Sequence, residues 1–109
     1  ALLGELVGPE GSVTSVEIIP ELVEVGRTRL RLLGIENVEP VLGDGGLGHP
    51  AGAPYDRAEF TVGCAEFPGA LFDQVRAGGR LLFVYKSAAQ IDLLMALDRT
   101  VEGFRSRAI

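Results

Sequence analysis

The chain has 109 residues, 47% of them hydrophobic and 23% charged, and a net charge of −5. That composition suits a folded core of single-domain size and excludes general disorder, and the acidic balance argues against a general nucleic-acid binder. No apolar run approaches the roughly 18 residues of a membrane span, the first five residues lack the basic start of a secretory signal, and one cysteine with one histidine leaves neither an internal disulfide nor a zinc cluster.

Residues 2–7 read as the last turns of a helix, closed by Gly8, Pro9 and Gly11. Residues 13–18 are rich in β-branched side chains and predict a strand. Pro20 then opens a helix, since proline suits the first helical turn. Leu22, Val25 or Gly26, Leu30 and Leu33 recur at helical spacing and predict its buried face. Glu21 and Glu24 early and Arg27, Arg29 and Arg31 late complement the helix dipole, and Gly34 ends it.

Residues 38–42 predict a second strand, and residues 43–55 a long Gly/Pro loop. A third strand is expected over 57–62, interrupted by Glu59, a costly residue inside a parallel strand unless paired or at an edge. Residues 68–76 suit a short helix behind Pro68. Gly78 and Gly79 predict a turn, residues 80–85 a fourth strand, and residues 90–98 with 104–109 a hairpin. Alternating strands and helices imply an α/β sheet with parallel strands and right-handed crossovers.

Ligands in such sheets bind beyond the carboxyl ends of the strands. That rule selects Glu17, Asp44 and the stretch Thr61, Val62, Gly63, Cys64 and Ala65. A strand-end acid such as Glu17 accepts hydrogen bonds from vicinal ribose hydroxyls; the plain alternative is a solvated carboxylate. Asp44 lies between Gly43 and Gly45, where a flat ligand can approach the backbone, and its carboxylate suits an exocyclic amine such as adenine's; the plain alternative is an Asp-Gly turn. Two acids 27 residues apart at neighbouring strand ends outline a nucleoside pocket better than either alone.

Gly43, Gly45 and Gly48 match the spacing of a dinucleotide fingerprint, but the loop runs into His49-Pro50 instead of a helix, so a phosphate cradle is rejected. His49 reads as a surface histidine, Cys64 as a small buried residue, Tyr55 as sheet-edge packing and Asp56 as a turn brace. No catalytic residue is assigned, because no Ser/His/Asp or Cys/His set assembles, and no metal site is expected.

Several of these stretches resemble the protein-L-isoaspartate O-methyltransferases when taken in order. They are residues 6–22 around Gly8-Pro9-Glu10-Gly11, residues 33–38, Gly43-Asp44-Gly45-Gly46-Leu47-Gly48, Ala53-Pro54-Tyr55-Asp56-Arg57, residues 66–71, Gly78-Gly79-Arg80-Leu81, residues 90–100, and Gly103-Phe104-Arg105. The resemblance implies a Rossmann-like class I methyltransferase sheet, truncated by loss of its first strand and glycine-rich loop, with a C-terminal β-hairpin. Residues 1–109 would then be a partial methyltransferase domain. It implies S-adenosylmethionine as cofactor, used to methylate isoaspartyl carboxylates in damaged proteins or peptides in the cytoplasm, with neither nucleic acid nor membrane as partner. Glu17 would hold the ribose and Asp44 the adenine amine, with Gly45 beside the ring. Thr61 to Ala65 would lie near the methyl donor and the acceptor.

The chain departs from the family at Ala65, where proline is usual, at Val84-Tyr85-Lys86, which replaces a Pro-Val-Gly-like turn, and at Ala58-Glu59, which replaces two aliphatics. Without the family's first strand, residues 13–18 and 57–62 are expected to pair directly, to pair with another chain, or to leave open edges. Without the glycine-rich loop, little or no methyl transfer is expected from this chain alone. The alternatives are another class I methyltransferase, such as one acting on tRNA, which the acidic charge disfavours, and a degenerate interaction module.

Overall fold

In the computed structural model, which describes residues 1–109, a short helix α1 (Leu2–Val7) precedes a strand–helix–strand crossover. The crossover consists of β1 (Val13–Glu17), α2 (Pro20–Leu32) and β2 (Val38–Leu42). The strands are parallel, in register from Val13 opposite Val38 to Glu17 opposite Leu42. Parallel neighbours need such a crossover, because a tight turn cannot reverse the chain twice.

Both ends of α2 follow from local chemistry. Pro20 sits in the first turn behind the extended residue Ile19. At the other end the Gly34 N–H donates to the Arg31 carbonyl (3.1 Å) and the Ile35 N–H to the Leu30 carbonyl (2.9 Å). This is a Schellman stop, with Gly34 in the left-handed region at φ 70°. Only part of the expected buried face is observed: Gly26 and Leu30 are half-buried beside the buried Val23, but Leu22, Val25 and Leu33 are exposed. A two-stranded sheet covers only a narrow strip of a helix, here the one through Val23, Gly26 and Leu30. The helix α1 is fastened by Asn37, whose Nδ2 donates to the carbonyls of Gly4 (2.8 Å) and Gly8 (3.0 Å).

Residues Ala1–Gly45 form one compact unit and Gly46–Ile109 a second. The second unit is a four-stranded sheet of β3 (Tyr55–Cys64), β4 (Val75–Lys86), β5 (Asp92–Thr100) and β6 (Gly103–Ala108), in that spatial order. The pair β3–β4 is parallel, and β4–β5 and β5–β6 are antiparallel. Leu81 and Phe83 on β4 and Leu97 on β5 form the core with Leu71, and Ala58, Phe60, Met95 and Phe104 pack around them. The expected C-terminal hairpin is present, turning at Val101-Glu102 with Thr100 opposite Gly103.

The helix expected over residues 68–76 is only a 3-10 turn, Gly69–Leu71, and β4 begins at Val75. Distant groups claim the backbone that a helix would need. Arg99 Nη1 donates to the carbonyls of Phe72 and Val75, each at 2.5 Å, and the Tyr55 N–H donates to the carbonyl of Gln74 at 2.7 Å. Nor do Gly78 and Gly79 make the expected turn ahead of a strand at residue 80. They lie inside β4, where its register with β3 jumps from Tyr55 opposite Val75 to Arg57 opposite Arg80. A Cβ at Gly79 would sit 2.6 Å from Val75 Cγ1, so the irregularity requires glycine there.

Glu59 is explained by position. It is exposed on the edge strand β3, between Ala58 and Phe60, which face the core. Asp56 braces β3 against β4 through an ion pair with Arg76. Strands β1 and β3 do not pair with each other: β1 is bonded to β2 alone and β3 to β4 alone. No helix is long and apolar enough to cross a membrane.

Candidate functional site

The first unit presents two carboxylates at one end of its sheet. Glu17 is the last residue of β1 and lies opposite Leu42, the last residue of β2. The Gly43 N–H donates to the Glu17 carbonyl (3.0 Å) and carries the ladder one step further. Asp44 follows at once, so the turn after β2 emerges beside the end of β1.

Glu17 is half-buried, and its Oε1 accepts a hydrogen bond from the Ile19 N–H (3.2 Å) at the mouth of α2. That bond fixes the carboxylate and leaves Oε2 as an acceptor. Asp44 is exposed. Gly43 is packed, since a Cβ there would touch Val16 Cγ1 at 3.4 Å, but a Cβ at Gly45 would meet no protein atom within 4 Å. Beside Asp44 the chain therefore leaves space that its own packing does not use.

Thr61, Val62, Gly63, Cys64 and Ala65 belong to the second unit, at the end of β3. All are exposed except Cys64, which is half-buried where a buried residue was expected. Its burial pushes the thiol pKa up, which keeps it protonated and a poor nucleophile. The pairing of β3 with β4 is irregular between Glu59 and Gly63, and Lys86 lies over Gly63, where a Cβ would be 2.2 Å from its Cε.

Two surface concavities lie elsewhere. One of about 320 Å³ follows Thr100 and Gly103–Arg105 at the hairpin tip, and one of about 280 Å³ lies between α2 and β2 near Arg27, Arg31 and Pro40. Neither is lined by Glu17, Asp44 or Gly45. No three His, Cys, Asp or Glu side chains come together in a way that could hold a metal ion.

One residue that sequence reasoning passed over is Gln74, the only buried polar side chain. It holds the backbone on both sides of Gly48, accepting from the His49 N–H (2.9 Å) and donating to the Leu47 carbonyl (3.0 Å). The signal was a lone amide between the apolar residues Phe72 and Val75, within a stretch that reads as helical.

A parallel crossover with carboxylates at its strand ends, followed by a parallel pair and an antiparallel hairpin, defines the class: this is the α/β fold of class I methyltransferases. An S-adenosylmethionine-dependent O-methyltransferase from Thermotoga maritima superposes with a TM-score of 0.65 at 17% identity, over 99% of this chain and 49% of that one. A solved protein-L-isoaspartate O-methyltransferase gives a TM-score of 0.92 at 30% identity, over 99% of this chain and 34% of that one. The protein-L-isoaspartate O-methyltransferase of Methanothrix thermoacetophila is 46% identical over all 109 residues, 52% of its own length. The model of the protein-L-isoaspartate(D-aspartate) O-methyltransferase family matches residues 1–106, and the chain belongs to that family. It spans about half the length of the curated relatives it matches.

Proposed function

We propose that this chain carries the nucleoside-recognising part of an S-adenosylmethionine-dependent methyltransferase that acts on isoaspartyl carboxylates in cytoplasmic proteins. The observation that carries the reading is the pairing of Glu17 and Asp44 at adjacent parallel strand ends, with open space at Gly45. Membership of the family supports the substrate class, and the Thermotoga maritima neighbour is itself described as S-adenosylmethionine-dependent.

The donor set fits such a cofactor. Glu17, steadied by Ile19, offers Oε2 to ribose hydroxyls. Asp44 accepts from the adenine amine, and Gly45 leaves room for the ring. S-adenosylmethionine supplies an electrophilic methyl group on a sulfonium. The acceptor carboxylate is already ionised at neutral pH, so the protein needs no general base, and its task is to hold reactants in line. Residues 61–65, at the end of β3, are the part of the second unit proposed to face the acceptor.

Calorimetry of the chain with S-adenosylhomocysteine tests the reading. Binding is expected, and Asp44→Ala should weaken it by roughly tenfold, the equivalent of one hydrogen bond from a charged group. No binding to the unmodified chain, or equal binding by Asp44→Ala, would sink it.

A further inference from the structure

We propose that Lys86 binds the acceptor carboxylate while it is ionised and loses its hold once it is methylated; the proposal rests on the reading above that residues 61–65 face the acceptor. Lys86 is the only lysine of the chain. It is the last residue of β4, which ends beside β3, with Gly63 opposite Val84 and Cys64 opposite Tyr85. The stem of Lys86 lies across that strand end. A Cβ at Gly63 would fall 2.2 Å from its Cε, 2.7 Å from its Cδ and 2.9 Å from its Cγ, so it is the glycine that lets the lysine lie there.

No other positive charge serves that end of the parallel pair. Apart from Lys86, residues 58–75 and 81–98 contain neither lysine nor arginine. Arg57 and Arg80 lie opposite each other further back along β3 and β4, and Arg76 is taken by Asp56. The ammonium is steadied from one side: Nζ donates to Asp92 Oδ2 at 3.3 Å, and Asp92 faces Lys86 across the β4–β5 pair. An ammonium has three N–H donors, so this contact leaves two. The Lys86 side chain is 56% exposed, and a ligand can reach them.

The change of charge in the reaction gives the contact its use. A carboxylate oxygen forms the new bond to the methyl carbon, the carbon–sulfur bond breaks, and its electron pair stays on sulfur. No proton moves, and the acceptor passes from an anion to a neutral ester. Hydrogen bonds to an ionised acceptor are roughly twice as strong as those to a neutral one. Lys86 therefore retains the substrate and releases the product.

The test titrates the 109-residue chain with a short end-blocked peptide whose one carboxylate is that of an L-isoaspartyl residue, and with its methyl ester. Reductive methylation with isotope-labelled formaldehyde marks Lys86 Nζ and the N-terminal amine for magnetic resonance and keeps both charged. Amide shifts at residues 61–65 report whether the peptide lies there, and those of Leu81 and Phe83 report folding.

The chain should bind the carboxylate roughly tenfold more tightly than the ester. The Lys86 signal should move with the carboxylate alone, and the preference should shrink in high salt. Lys86→Met should cut the preference to less than about twofold, whereas Lys86→Arg, which keeps the charge, should retain most of it. The proposal is overturned if the peptide shifts the amides at residues 61–65 while Lys86→Met keeps the preference, while the labelled Lys86 signal stays still, or while Lys86→Arg loses as much as Lys86→Met. If neither peptide shifts those amides, the placing of the acceptor at residues 61–65 fails, and the proposal falls with it for that separate reason.

Discussion

Asp98 shows how a single surface carboxylate ties three strands. It lies opposite Arg80 on β4 and Arg105 on β6, with Arg80 Nε at 2.5 Å from Oδ1 and Arg107 Nε at 3.9 Å from Oδ2. The hydrogen bond from Arg80, aided by the nearby guanidinium charges, holds the Asp98 carboxyl below its usual pKa. A carboxyl depressed in the folded state stabilises the fold above its unfolded value of about 3.9 and loses that contribution as pH falls through the folded value. Asp98→Asn should therefore be less stable than the parent chain at neutral pH, and the gap should narrow as pH falls below the unfolded value of about 3.9. Urea midpoints for both proteins across that range will show whether it does. The place of Glu17 and Asp44 at the strand ends is legible in the sequence at this scale, because strand ends announce themselves locally. Gln74 was not: its partners Leu47 and His49 lie 27 and 25 residues away.

The elements that carry their own punctuation were read to within a residue. Pro20 and Gly34 bracket α2 by local geometry alone, and β2 occupies the expected residues 38–42. Residues 68–76 misled because their helical pattern is weaker than the claims of Arg99 and Tyr55 from outside it. The buried face of α2 is narrower than its leucine spacing suggests, because that spacing shows which face is apolar but not how wide a sheet is available to cover it; Leu30 is covered and Leu22 and Leu33 are not. The stop at Gly34 gives a direct test. Nothing lies within 4 Å of a Cβ there, so Gly34→Ala adds no clash and only the left-handed backbone is penalised. The expected loss is about 1–2 kcal/mol, measured by thermal or urea unfolding.

Across the whole chain, burial is unequal. In the first unit Val23 is the only buried hydrophobic side chain, whereas the second buries Leu71, Val75, Leu81, Phe83, Ala96 and Leu97. Local opening is easiest where few apolar contacts resist it. Native-state hydrogen exchange should find the slowest amides on β4 and β5, with β1 and β2 opening at much lower free energy. Equal protection in the two sheets would contradict this distribution of stability. The sequence did not foreshadow the imbalance, because both halves carry comparable apolar residues. What differs is how many strands are present to cover them.

Asn37 is the sole asparagine of the chain, and the bonds that stitch it to α1 have a chemical side. Asparagine ages when the backbone nitrogen of the next residue attacks the side-chain carbonyl and closes a succinimide, the route by which isoaspartate arises. At Asn37 the side-chain amide is tied to the carbonyls of Gly4 and Gly8. The next residue is the β-branched Val38, already registered against Val13 in the sheet. Ring closure would have to break both bonds and crowd past that branch. A member of a family named for isoaspartate thus keeps its one asparagine in a setting that resists becoming isoaspartate.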